Sequence, residues 1–228
     1  MTFKNLRRIP RSLLFALRRD PAGRRQLRFW LHSLRSSSNP IDNERPLITF
    51  AATEGLELGR QMKVFEWGSG ASTLYVARRV QELTSVEHDP DWQRRIAAAL
   101  KDRGIGNCRY VLAEPEPARS GAPHPADDPF VSVRRRYAGA SFERYVKVID
   151  AYPDQHFDLV LVDGRQRVAC GRRAIPKIRC GGRLLLDNSE RSAYEPLRRL
   201  LEGYPVSNFF GIGPSQAKPW QTTVWEIR

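Results

Sequence analysis

Three stretches of this chain place acids, glycines and hydroxyls at spacings that suit ligand chemistry. In VFEWGSGAST (64–73) an apolar run ends in Glu66 and opens into Trp67, Gly68, Ser69 and Gly70, with Ser72 and Thr73 just beyond. Glycines there let the backbone approach a ligand closely, and free N–H groups at a helix start favour polar contacts. Glu87 follows 19 residues after Gly68, where a carboxylate can accept both hydroxyls of a ribose. The pair predicts a ribose-containing cofactor. In VDGRQR (162–167) and LLLDNSER (184–191), Asp163 ends one apolar run and Asp187 with Asn188 ends the next. If the two strands are neighbours, three oxygen ligands face one cavity, and that set suits Mg²⁺. The plainer alternative is that Asp163 binds cofactor or caps a helix, and that Asp187-Asn188 makes a polar turn.

Positioning these groups requires strands that end together. Apolar runs at 62–67, 83–87, 108–112, 157–163, 183–187, 204–210 and 221–227 read as strands. Helical patterns occupy 46–59, 71–81, 90–103, 141–151, 166–179 and 191–202. Continuous apolar strands separated by helices argue for an α/β fold with a Rossmann-like, doubly wound, mostly parallel sheet covered on both faces. The last two strands have no helix between them, so an antiparallel terminal strand is expected. A Pro-rich insertion at 113–140 breaks the alternation and forbids a regular helix there.

The glycine loop is not a dinucleotide fingerprint, because Thr73 stands where the third glycine belongs, and an acid before the first glycine is a poor neighbour for a pyrophosphate. A carboxylate suits a cationic ligand. EWGSGAST, SVEHD and FDLVLVDG, in this order and spacing, resemble the class I S-adenosylmethionine-dependent methyltransferases over residues 45–228. The resemblance implies that Glu66 and the backbone at 68–70 line the methionine part and that Glu87 holds the ribose. It puts His88, Ala113 and Glu114 near the adenine. Asp163 and Asp187-Asn188 resemble the metal set of the metal-dependent O-methyltransferases, except that Gln166 stands where those enzymes carry a lysine. Asp163 is the expected catalytic residue in either case.

The acceptor implied is a small molecule or glycan, methylated at oxygen. Arg134–Arg136, Arg165 and Arg167 would match an anionic one, or are simply solvated charge. Tyr137, Phe142 and Tyr145 would wall the substrate or face the core. His88, His124 and His156 have no metal-ligand spacing. A nucleic-acid methyltransferase is the weaker alternative, since VDGR replaces the Asn/Asp-Pro-Pro-aromatic motif of base-modifying enzymes. A non-catalytic module binding cofactor or lipid is a further one.

Composition limits the rest. The chain has 228 residues, 41% apolar and 28% charged, with a net charge of +13, and three unpaired-looking cysteines fit a reducing cytoplasm. No apolar run approaches the ~20 residues of a membrane span. Residues 1–36 hold ten Lys/Arg against the single acid Asp20. They read as a helical extension, joined by the linker SSSNP, that packs on the domain, on a second subunit, or as a peripheral contact on anionic lipid or nucleic acid.

Overall fold

The computed structural model describes residues 9–35, 41, 45–117 and 128–228. The SSSNP linker and the middle of the Pro-rich insertion, with His124, lie outside them. The described residues open with three short helices, α1 (Ile9–Arg19), α2 (Pro21–Arg25) and α3 (Leu27–Arg35), followed by α4 (Phe50–Glu54). Strands and helices then alternate: β1 (Lys63–Trp67), α5 (Ala71–Ala77), β2 (Glu82–Glu87), α6 (Pro90–Asp102) and β3 (Cys108–Leu112). After the insertion come α7 (Glu143–Lys147), β4 (Phe157–Val162), α8 (Arg167–Ala174), β5 (Ile178–Asp187) and α9 (Glu195–Leu200). The chain closes with β6 (Val206–Gly211) and β7 (Trp220–Glu226).

The seven strands form one sheet in the order β3-β2-β1-β4-β5-β7-β6. β1 to β5 are parallel, and β7 runs antiparallel to both β5 and β6. The expected antiparallel end is therefore observed. Strand order reverses between β1 and β4, and a parallel sheet opens a crevice outside the carboxyl ends of its strands at such a point. Glu66, Glu87, Asp163 and Asp187 all belong to that end because each closes, or directly follows, an apolar strand.

Two apolar layers cover the sheet. Phe65, Trp67, Phe142, Tyr145 and Phe157 pack on one face, and Ile48, Val64, Val76 and Leu83 on the other. Phe142 and Tyr145 are fully buried, so the core-facing alternative holds for both. Several expected helices are shorter in the structure, and two elements show the shift of boundaries most clearly. The helix expected over 46–59 is confined to Phe50–Glu54, where Thr49 caps its start by accepting from Ala52 N and Gly55 ends it. β5 begins at Ile178, five residues before the expected start, because Ile178 pairs with Phe157 across a register shift. The Arg-Cys-Gly-Gly stretch inside it conceals this extension.

The basic extension packs on its own domain. Asp20 caps α2 through Oδ1 and accepts the Ile212 N–H through Oδ2, 2.9 Å away. Trp30 is buried and donates to the Gln216 carbonyl at 2.7 Å, while Ser12 donates to the Ala217 carbonyl at 2.6 Å. The one acid of the segment is thus a buried connector, while Arg11, Arg18, Arg19, Arg24, Arg25 and Arg28 are exposed.

Candidate active site

The glycine loop is held from beneath by Glu66. This carboxylate is buried at the end of β1 and accepts three hydroxyls: Ser72 on Oε1, and Thr73 and Ser85 on Oε2, both at 2.7 Å. Burial pushes its pKa up while the three hydroxyls pull it back. Thr73 Oγ1 also accepts the Gly70 N–H at 3.0 Å. A threonine at this position therefore links loop backbone to strand-end acid. Gly68 has a φ of +94°, and a Cβ on it would lie 2.7 Å from the Gly164 backbone. Only glycine allows the loops after β1 and β4 to approach so closely.

Glu87 closes β2 and is buried in a ring of donors. Oε1 accepts the His88 and Asp89 N–H groups at 2.7 and 2.9 Å, and Oε2 accepts the Ser69 hydroxyl at 2.7 Å. Burial opposes its ionisation, but these donors and His88 outweigh it and hold the pKa below the ordinary carboxylate value. The Arg165 Nε–H donates to His88 Nε2 at 3.2 Å, which places the imidazole proton on Nδ1. Nδ1 lies 2.6 Å from Glu87 Oε1, at an angle that makes no hydrogen bond. The His88 ring packs against Tyr137, Phe142 and Tyr145, with centroids 5.3, 5.6 and 6.0 Å away. Trp92 covers the loop from α6 by donating to the Ser69 carbonyl at 2.9 Å.

At the ends of β4 and β5 the two aspartates converge on an arginine. Arg167 Nη2 bonds Asp163 Oδ1 at 2.7 Å and the Asp163 carbonyl at 2.7 Å, and Nη1 bonds the Asp187 carbonyl. Nη1 also lies 3.9 Å from Asp187 Oδ2 and 3.5 Å from Asn188 Oδ1. Asp187 Oδ1 accepts from Trp220 Nε1 and Thr222 Oγ1, both at 2.8 Å. Burial and the neighbouring Asp163 push the Asp187 pKa up to about 7. Burial also raises Asp163, against the opposing pull of Arg167.

No protein-family model matches the chain, and no curated protein does. Solved structures do. A precorrin-6y C5,15-methyltransferase from Geobacter metallireducens superposes with a TM-score of 0.51 at 17% identity, covering 83% of this chain and all (100%) of the other. This chain has the class I methyltransferase fold. A methyltransferase-like protein from Silicibacter pomeroyi gives a TM-score of 0.48 at 23% identity, over 73% of this chain and 79% of that one. A putative Streptococcus mutans methyltransferase in complex with SAH gives 0.49 at 9% identity, over 75% and 91%.

Within this methyltransferase fold, several expected residues sit differently from their expected roles. Glu66 and Thr73 are buried beneath the loop and organise it, with Ser72 half-buried beside them, so none of the three presents a free carboxylate or hydroxyl at the surface of the loop. The Trp67 side chain points into the core, donating to the Tyr145 carbonyl at 3.0 Å. Only its backbone belongs to the loop. Ala113 follows β3 beside Glu87, donating its N–H to the Glu87 carbonyl at 2.7 Å, and Glu114 is exposed next to it.

The Mg²⁺ set requires correction. Asp163, Asp187 and Asn188 do converge, but the Arg167 guanidinium already lies among them, and Asp187 Oδ1 is taken by Trp220 and Thr222. A dication would meet a fixed positive charge and a half-spent donor set, so the residues present do not fit the metal. Among the described residues no cluster of His, Cys, Asp and Glu could hold one.

Gln166 has a role that its residue type conceals. It adopts a left-handed conformation (φ 47°) at the start of α8, and its Nε2 donates to the Pro129 and Val131 carbonyls at 2.8 and 3.0 Å. It pins the returning end of the insertion over the β4 loop. Tyr145 is likewise informative, since its buried hydroxyl has no hydrogen-bond partner among the described residues and lies against Gly164.

Proposed function

We propose that this chain transfers the methyl group of S-adenosylmethionine to an oxygen of a small molecule or glycan. The observation that carries the reading is the arrangement at the switch point. An acid under a glycine loop and a second acid at the next strand end stand together on the carboxyl edge of the sheet.

These residues fit the cofactor. A Cβ built on Gly70 would meet nothing closer than Trp92, 4.0 Å away, so the loop offers room above its backbone. Glu87 accepts an alcohol O–H from Ser69 at 2.7 Å, which is the chemistry a ribose hydroxyl asks of it. Ala113 and Glu114, beside Glu87 on the β3 side, would border the adenine together with His88.

When bound, the cofactor supplies an electrophilic methyl group on a sulfonium. The chain's own task is to align an acceptor oxygen, exclude water and remove that oxygen's proton. Asp163 takes the proton at its carboxylate, and its raised pKa brings it nearer to the task. Arg167 keeps Asp163 fixed in place across the β4–β5 gap. Gln166 and the aromatic cluster around His88 hold residues 129–142 against the β4 loop.

Calorimetric titration with S-adenosylmethionine, with NAD as control, tests the reading. Expected are micromolar affinity, its loss in Glu87→Ala, and no change on adding Mg²⁺ or a chelator. Binding of NAD alone would refute it.

A further inference from the structure

After Asp163 the loop Gly164–Gln166 floors a cleft of 690 Å³, walled by residues 128–134 and by Arg191, Ala193 and Tyr194. That volume is typical of a small-molecule site. Asp163 itself lines an adjoining smaller cavity that shares Arg191. The polar lining of the larger cleft is dominated by guanidinium groups, from Arg134, Arg165, Arg167 and Arg191, beside Asp128, Gln166 and Tyr194. Arg167 is neutralised by Asp163. Arg165 is held through Nε by His88, and its carbon Cζ sits 5.1 Å from the Tyr137 ring centre. The guanidinium is thereby positioned while its Nη groups have no hydrogen-bond partner among the described residues. Arg134 and Arg191 are exposed and close no ion pair among the described residues, though the Arg191 charge acts on Asp163. The one acid on the cleft wall, Asp128, accepts the Phe130 N–H at 2.8 Å. Tyr194, Val131 and the exposed Val133 also line the cleft, with the Tyr194 ring centre 5.5 Å from Arg167 Cζ.

We infer that this cleft takes the methyl acceptor, and that the acceptor is a small molecule carrying a carboxylate or phosphate on a partly apolar body. Four guanidinium groups face one wall carboxylate, Asp128, and Asp163 balances Arg167 and draws on Arg191, so the cleft keeps an excess of positive charge. A planar fork matches either oxyanion bidentately, and the apolar wall accepts the rest of the molecule. The inference rests on the reading of this sheet end as the catalytic one, because that reading makes the groups next to Asp163 the acceptor side.

The test uses phenyl phosphate, benzoate and uncharged benzyl alcohol, each titrated into the ¹⁵N-labelled protein and followed by amide shifts. Phenyl phosphate, benzoate or both should bind saturably, shifting Gly164, Arg165 and Ala193, while benzyl alcohol should not. The stronger of the two acids names the oxyanion. The double variant R134E/R191E should weaken the acidic probes by about tenfold or more while keeping the wild-type melting temperature, since both side chains are exposed. Equal binding of benzyl alcohol, no saturable binding of either acid, or an unchanged affinity in the double variant would overturn the inference. S-adenosylmethionine titrated separately into the same protein reports on the methyl-transfer reading independently.

Discussion

Arg167 Nη2 lies 2.7 Å from Asp163 Oδ1 and joins the ends of β4 and β5 with a side chain of the protein itself. The guanidinium is nine-tenths buried and bonds three backbone carbonyls (Asp163, Gly164 and Asp187) as well. Replacing it by methionine would leave the half-buried Asp163 and the buried Asp187 facing each other without that cation. Arg167→Met should therefore lose about 3 kcal/mol of stability in denaturant unfolding. Chelators should leave wild-type stability unchanged, because the charge between the aspartates is covalently part of the chain.

Glu66 and Thr73 make a second connection that can be broken cleanly. Thr73→Val keeps the shape but removes the acceptor for the Gly70 N–H and one donor to Glu66. A loss of about 1–2 kcal/mol is expected, with weaker S-adenosylmethionine binding because the loop backbone loses its anchor. Thr73→Ser, which keeps the hydroxyl, should restore most of both in the same unfolding and titration experiments.

Asp187 sets a pH dependence. Its pKa in the folded chain is about 7, against an ordinary 3.8, so between these values the folded state binds more protons than the unfolded one. Its contribution is complete below about pH 4 and is lost as pH rises to about 7. Asp187→Asn cannot ionise, and its amide oxygen can still accept from Trp220 and Thr222. The variant should show a flatter stability profile over that window, and melt roughly 2–4 °C above wild type at mildly alkaline pH. A wild-type melting temperature that rises steadily across the window would contradict this assignment.

Gln166 holds the insertion through two bonds to carbonyls. Gln166→Ala should cost about 1 kcal/mol and speed limited proteolysis within 128–142, with little effect on cleavage elsewhere. Unchanged cleavage would mean that the aromatic cluster alone keeps the segment in place.

The sheet was legible because its central strands are uninterrupted apolar runs, and because each ends in an acid or glycine that marks the carboxyl edge. Glu87 and Asp163 could be located for the same reason. What the linear pattern conceals is which way a side chain turns once the strand ends. Trp67 and Glu66 are adjacent in the chain, yet one fills the core and the other gathers hydroxyls beneath the loop. The convergence of Asp163 and Asp187 follows from strand adjacency. The intrusion of Arg167 depends on how α8 begins, and nothing in an arginine five residues past a strand announces it. Gln166 was noticed only as the absence of a lysine. Its hydrogen bonds reach residues 129 and 131, contacts between segments that no local period encodes.

The most direct check of the central claim is an amide-resolved titration of the ¹⁵N-labelled protein with S-adenosylhomocysteine. The account predicts shifts concentrated at Gly68–Gly70, Glu87–Asp89 and Ala113–Glu114, and their disappearance in Glu87→Ala. Saturable shifts elsewhere, or none at all, would contradict it.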